Sequence, residues 1–109
     1  MTRAKPVLNR LVAMKRQHAE QQLQSIQIEL DRARAERNVL QGRLAALDST
    51  DAAEIEAASL MHRQGHVDRL LRRIERTEAV EARLRDEFAE AREALKQAMH
   101  SEDRISSQS

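Results

Sequence analysis

The sequence predicts an all-α protein, a long antiparallel hairpin of two helices that pack against each other as a coiled coil. Three observations support this fold class. The 109 residues include only two glycines and one proline, so little interrupts a helix. Hydrophobic residues make up 40% of the chain and charged residues 34%, which is typical of long helices, and Phe88 is the single aromatic residue. Apolar residues also recur at alternating steps of three and four, the heptad spacing of a narrow seam.

The first helix is predicted over residues 6–48. Pro6 suits the first turn of a helix, because the N–H that proline lacks would have no partner there. Apolar residues then occupy the a and d positions of successive heptads, with Arg37 as a polar interruption. The predicted seam residues of this helix are Val12, Leu23, Ile26, Leu30, Leu40 and Leu44.

A turn is predicted at about residues 48–51, where the apolar pattern stops at Asp-Ser-Thr-Asp. Asp51, with Glu54 three residues later, can satisfy unpaired backbone N–H groups at a helix start. The second helix is therefore predicted over residues 52–104, followed by a frayed tail over 105–109. Its predicted seam residues are Leu60, Val67, Leu70, Ile74, Leu84 and Phe88.

The short connection favours an antiparallel hairpin, because helices joined by a few residues fold back on each other. With the turn centred near Thr50, facing residues have numbers that sum to roughly 100. This register pairs Leu40 with Leu60 and Ile26 with Ile74, among other apolar layers. It also places Arg37 opposite Arg63, where the two charges would repel.

A second apolar track lies outside the seam of the first helix, at Leu11, Met14, Ile28 and Val39. Helical spacing puts these residues along one outward face. They form a candidate docking stripe for another helical protein. The alternative is that single exposed apolar residues are ordinary on any protein surface.

Positive charge is concentrated at the beginning of the chain, since the first nineteen residues include no acidic residue. In the hairpin, Arg10, Lys15 and Arg16 would lie at the open end together with Arg92 and Lys96 of the second helix. This end is a candidate site for an acidic partner surface, or else a solvated basic terminus balanced by nearby glutamates. Nucleic acid is not an expected partner, because stacking aromatic residues are missing and the arginines alternate with acids.

The sequence predicts no enzyme, no cofactor and no metal site. His62 and His66 are four residues apart, but the glutamate of an HExxH motif is missing and no third ligand is evident. The chain has no cysteine, which excludes disulfides and thiolate ligands. Neither a signal peptide nor a membrane-spanning run is recognisable, so the expected location is the cytoplasm, without direct membrane insertion.

The segment PVLNRLVAMKRQHAEQQLQSIQIELDRARAERNVLQGRLAAL, followed by a turn and a second helix rich in Arg, Glu and Ala, resembles the FliJ/YscO-type stalk proteins of type III export systems. The resemblance covers nearly the whole chain and lies in length, layout and composition. It implies a cytoplasmic coiled coil, at times peripheral at the membrane face of a flagellar or virulence secretion apparatus, that docks on the export ATPase and the export gate and handles export chaperones. In that setting the basic open end would face the ATPase, and the outward track would meet the gate or a chaperone.

Two other interpretations remain open. One is a secretion chaperone or adaptor that captures a helical segment of a client protein. The other is a generic structural coiled coil that self-associates as a parallel dimer, with a continuous helix through residues 48–51.

Overall fold

The computed structural model describes residues 4–48 and 57–107, and both ranges are helical throughout. Helix α1 spans Ala4–Asp48 and helix α2 spans Ala57–Ser107. The predicted fold class is confirmed, since the protein is an all-α helical hairpin of coiled-coil type. The predicted turn beyond residue 48 and the predicted first residues of the second helix, 52–56, lie outside the described residues.

The ends of the helices differ from the prediction in two places. Helix α1 begins at Ala4, so Pro6 lies inside its first turn, where a proline is tolerated. Helix α2 continues to Ser107, and the prediction of a frayed tail from residue 105 is wrong for residues 105–107. Ile105 is half-buried, and the Ser107 hydroxyl donates a hydrogen bond of 3.0 Å to the carbonyl oxygen of Arg104. These interactions hold the last turn in helical form.

The described residues divide into two compact units. The terminal unit comprises Met1–Glu29 and Leu84–Ser109, and the central unit comprises Leu30–Arg83. Each unit contains part of α1 and part of α2, and each is described here by itself.

In the central unit, the two helices meet around Leu40, Leu70 and Ile74, which form a buried cluster. Leu44 and Leu47 pack against this cluster from α1. Next to this apolar cluster the seam contains polar residues. There Arg37 of α1 donates a hydrogen bond of 2.8 Å to Glu81 of α2. As the numbers rise along α1, those of the partners fall along α2, so the helices are antiparallel.

Among the described residues of the terminal unit, Ala19, Leu84 and Ala91 are the buried apolar ones. Arg16 joins the helices here by a hydrogen bond of 2.5 Å from its Nε to Glu102. Leu23 and Leu95 line one side of the same pair of helices, which again shows the antiparallel direction.

The register of the helices differs from the predicted one. Leu40 packs with Ile74 and not with Leu60, so its partner on α2 lies two heptads further along the chain than predicted. Arg37 bonds to Glu81 and does not face Arg63. In the terminal unit Ile26 lies beside Ala91, and the predicted pairing of Ile26 with Ile74 is wrong. The physical reason is that a heptad pattern matches itself after every seventh residue.

The predicted seam residues are buried or half-buried with one exception. Leu60 is 43% exposed. Its predicted neighbour Leu40 packs elsewhere, so the layer that would have covered Leu60 does not form. The seam residues other than Leu60 are Val12, Leu23, Ile26, Leu30, Leu40, Leu44, Val67, Leu70, Ile74, Leu84 and Phe88.

Within residues 4–48 and 57–107, neither helix contains a segment both long and apolar enough to cross a membrane.

Candidate docking surfaces

The outward apolar residues of α1 are well exposed in the structure. Leu11, Met14 and Val39 each have about half of their surface accessible, at 51%, 58% and 54%. They occupy the c and f positions of the heptad, which point away from the seam on an α-helix. Ile28 also lies at an f position and is 45% exposed.

Two further residues belong to this surface and were not selected from the sequence. Val7 and Leu8 are exposed at the start of α1, one turn before Leu11. Val7, Leu11 and Met14 follow one another at spacings of four and three, so they form a continuous strip on one side of the helix. The spacing of three and four residues that predicts Leu11 and Met14 as outward residues also includes Val7, one turn closer to the N-terminus. We call Val7, Leu8, Leu11 and Met14 the N-terminal apolar strip.

Four of the five predicted basic docking residues are exposed, and one is not free. Arg10 and Lys15 lie exposed beside the N-terminal apolar strip, one on each side of it by helical spacing. Arg92 and Lys96 are exposed on α2 of the same unit. Arg16 is half-buried because it occupies an a position of the seam, so its prediction as a partner-facing cation is not supported by its geometry.

Arg16 is held by two carboxylates. Its Nη1 donates to Glu20 at 2.8 Å, one turn along α1, and its Nε donates to Glu102 at 2.5 Å on α2. The hydrogen bond with Glu20, followed by that with Glu102, raises the pKa of Arg16 above its usual value. The Arg16 guanidinium therefore links α1 to α2 across the seam, towards the start of α1 and the end of α2.

A second ion pair crosses the seam in the central unit. Arg37 and Glu81 occupy a positions, and the Glu81 side chain is only 1% exposed whereas that of Arg37 is 28% exposed. Next to this pair, the buried Thr77 donates a hydrogen bond of 2.8 Å to the carbonyl oxygen of Arg73. Sequence analysis missed Glu81 and Glu102, although both continue the 3,4 spacing of α2 without a break.

The terminal unit has an apolar groove on one of its faces. Leu23 and Ile28 of α1 and Phe88 and Leu95 of α2 provide its apolar lining. The groove has a volume of about 340 Å³ and is open to solvent. Ile28, predicted as part of the docking stripe, is thus also part of this groove.

The other face of the terminal unit is lined by smaller and more polar side chains. Ser25 and Ile26 of α1 meet Glu87 and Ala91 of α2 in one open groove. A neighbouring groove is lined by Lys15, His18 and small residues of α2. The two faces of the unit therefore differ in chemistry, and the Phe88 face is the more apolar one.

His62 and His66, for which no metal role is predicted, are both exposed in the structure. Among residues 4–48 and 57–107, no three histidine or carboxylate side chains come together as a possible metal site.

Comparisons with protein-family models, with curated proteins and with solved structures find no match to this chain.

Proposed function

We propose that this protein is a non-enzymatic coiled-coil adaptor that binds a partner protein through the start of α1. The observation that carries the proposal is the position of Leu11 and Met14, both more than half exposed, opposite the seam and between Arg10 and Lys15. An apolar strip flanked by cations fits an apolar groove with an acidic rim on another protein. Leu11 and Met14 lie outside the seam and remain exposed, so they are available for docking.

The arrangement of the helices supports an adaptor more than a catalyst. Two of the charged side chains in the seam, Arg16 and Arg37, are each engaged with a carboxylate on the opposite helix. The grooves of the terminal unit are open and lie along the outside of the helix pair. Binding along such surfaces requires no enclosed site.

The partner we propose is the export ATPase of a type III export system, with the export gate and export chaperones as further partners. The support is the resemblance in layout to FliJ/YscO-type stalk proteins, together with the basic character of the open end. In this role the protein works in the cytoplasm at the face of the secretion apparatus. The N-terminal apolar strip, with Arg10 and Lys15, would enter the ATPase ring, and Val39 would belong to the surface for the gate or a chaperone.

The electrostatic part of the proposal is tested by reversing Arg10→Glu and Lys15→Glu together and measuring the affinity for the purified candidate ATPase. We expect affinity to fall by about tenfold or more, since two favourable rim charges become repulsive. The matched control is Arg72→Glu with Arg76→Glu, two exposed arginines of α2 in the central unit. Equal losses in both variants, or no loss in either, would remove the assignment of this end.

The apolar contacts of the proposed docking surface are tested with two variants. The first replaces Leu11 and Met14 with serine, and the second replaces Ile28 and Val39 with serine. We expect the first variant to lose partner capture while circular dichroism shows unchanged helicity, because the replaced side chains lie outside the seam. Met61→Ser serves as the control, since Met61 is 78% exposed and lies in the central unit. Retained capture by the first variant would contradict the proposal.

A further inference from the structure

Helix α2 carries two blocks of opposite charge on the side that points away from α1. In the central unit, the c and f positions of its heptads hold three exposed arginines, Arg69, Arg72 and Arg76. In the terminal unit, the same positions hold three exposed carboxylates, Asp86, Glu90 and Glu93. The c and f positions point away from the seam, so α1 covers neither set. We call the first set the basic block and the second set the acidic block.

Neither block is neutralised by its own chain. None of the six side chains in the two blocks forms an ion pair in the part of the chain that the structure describes. Arg16, Arg37 and Arg73, by contrast, each pair with a carboxylate. Like charges three or four residues apart on a helix repel each other, so each block is unfavourable by itself. A surface of opposite charge and equal spacing would relieve this repulsion.

The two blocks have the same spacing in opposite directions along the chain. From Arg69 towards the C-terminus, the residues of the basic block follow at steps of three and then four. From Glu93 towards the N-terminus, the residues of the acidic block follow at the same steps. Two antiparallel copies of α2 therefore bring every arginine of one block level with a carboxylate of the other. The pairs are Arg69 with Glu93, Arg72 with Glu90, and Arg76 with Asp86.

We propose that this side of α2 is the contact face for a second copy of the chain. The two α2 helices lie antiparallel about a two-fold axis at the level of Glu81, the midpoint of all three pairs. The basic block of each copy then lies on the acidic block of the other. Because both blocks belong to the continuous helix α2, one second copy completes both contacts, as a two-fold interface requires. A parallel pair in register would instead set like charges against each other.

The residues between the blocks allow the two helices to approach. Ala79, Val80 and Ala82 are exposed, uncharged and no larger than valine. The distance between packed helices depends on the side chains at the contact, so small ones bring the axes closer together. Arg83, at the c position between the blocks, already interacts within its own chain and comes level with Ala79 of the second copy. The middle of the interface therefore consists mainly of apolar contacts, with ion pairs on either side.

The neighbouring b and g positions keep this match of sign. At the g positions, Arg73 adjoins the basic block and Glu87 adjoins the acidic block. At the b positions, Asp68 and Glu75 adjoin the basic block, and Lys96 adjoins the acidic block. With these residues included, the face is net positive over residues 68–83 and net negative over residues 86–96. Asp68 of one copy comes within about half a turn of Lys96 of the other.

The first test is the mass of the full chain by light scattering and sedimentation, over a range of concentration and salt. We expect a species of twice the 12.5 kDa of one chain in low salt. Added salt should dissociate it, because mobile ions screen exposed ion pairs. A single-chain mass at every concentration in low salt overturns the proposal, and so does a dimer that is indifferent to salt.

The second test reverses the charges of one block at a time. One variant is Arg72→Glu with Arg76→Glu, and the other is Asp86→Arg with Glu90→Arg. Each should raise the dissociation constant of the dimer at least about tenfold, because favourable pairs become repulsive. Mixing the two variants should restore association as a heterodimer, since each reversed block then meets opposite charge.

The matched control is Arg32→Glu with Arg34→Glu, two exposed arginines of α1 in the same unit as the basic block. It makes the same change in net charge and should leave the mass unchanged. Circular dichroism should show equal helicity in all variants. A mixture that fails to associate contradicts the arrangement, as does either variant that associates alone as tightly as the unchanged chain.

This inference is independent of the proposed adaptor role. Arg72→Glu with Arg76→Glu should lose self-association and keep its affinity for the ATPase, whereas the variant of Arg10 and Lys15 should do the reverse. Binding of an acidic helix of another protein to the basic block of a strictly monomeric chain would overturn the dimer and leave the adaptor role intact.

Discussion

Arg37 donates a hydrogen bond of 2.8 Å to Glu81 across the seam of the central unit, and the Glu81 side chain is 1% exposed. A buried carboxylate is costly unless a cation and hydrogen bonds compensate it. The stability of the seam around Leu40 and Ile74 therefore depends on Arg37, the α1 side chain that pairs with Glu81.

Removing that partner should be strongly destabilising. We expect Arg37→Ala to cost about 2 to 3 kcal/mol in the free energy of unfolding, at the low end of the range for buried pairs because the Arg37 side chain is 28% exposed. Replacing both residues, Arg37→Met with Glu81→Leu, should be close to neutral or stabilising, since no buried charge remains. Urea denaturation of the four species of the double-mutant cycle measures the coupling. Additive effects of the two single changes would show that the pair is not coupled.

The pair between Arg16 and Glu102 should matter less. Both side chains are about one-third exposed, at 29% and 32%, so water and salt screen their interaction. We expect Arg16→Ala to lower the melting temperature less than Arg37→Ala does, and this loss to shrink in high salt. Thermal unfolding of the Arg16 and Arg37 variants under identical conditions provides the comparison. A larger loss for Arg16 would contradict the assignment of Glu81 as the more buried partner.

The register can be checked by chemical cross-linking, because the chain has no cysteine of its own. Leu40→Cys with Ile74→Cys should react rapidly with a short bifunctional thiol reagent, since these residues pack in one cluster. Leu40→Cys with Leu60→Cys is the matched control and should react slowly. Preferential cross-linking of the control pair would restore the register predicted from the sequence.

Gly42 offers a way to stabilise the protein without changing its contacts. It lies within α1, and a Cβ added there would meet no atom within 4 Å. Gly42→Ala should raise the free energy of unfolding by about 1 kcal/mol, because alanine favours the helix and loses less backbone entropy. This corresponds to a rise in melting temperature of about 4 °C for a protein of this size.

Gly65→Ala is the companion variant. A Cβ there would lie 3.7 Å from a guanidinium nitrogen of Arg69, which is ordinary contact, so a similar gain is expected. A loss of stability at either glycine would indicate that the helix is not regular at that position.

Much of the fold could be predicted from the sequence, because the heptad spacing depends only on which residues are apolar. The positions of Leu23, Leu30 and Leu70 in the seam follow from it directly. The pairing of the helices could not be obtained in this way, since sliding one helix by seven or fourteen residues leaves every a and d position matched. Placing the turn at Thr50 then selected the wrong one of several equivalent registers.

The polar residues of the seam contain the information that separates these registers. Arg16 and Arg37 lie at a positions of α1, and Glu81 and Glu102 lie at a positions of α2. The predicted register brings Arg37 against Arg63. The observed register instead pairs Arg37 with Glu81 and Arg16 with Glu102. Arg16 continues the charged run of Arg10 and Lys15, which predicts a basic surface, but its heptad position places it in the seam. For the candidate docking surface, the outward positions of Leu11 and Met14 followed from helical spacing, and Val7 and Leu8 were overlooked.

The two cross-seam ion pairs are separated by the same number of residues, 21, on each helix. An insertion or deletion between Arg16 and Arg37 must therefore be matched by one of equal length between Glu81 and Glu102. Otherwise one of the two carboxylates loses its arginine partner in the seam. The helices of this protein can lengthen only in step with each other, and relatives of different size should differ by whole heptads added in pairs.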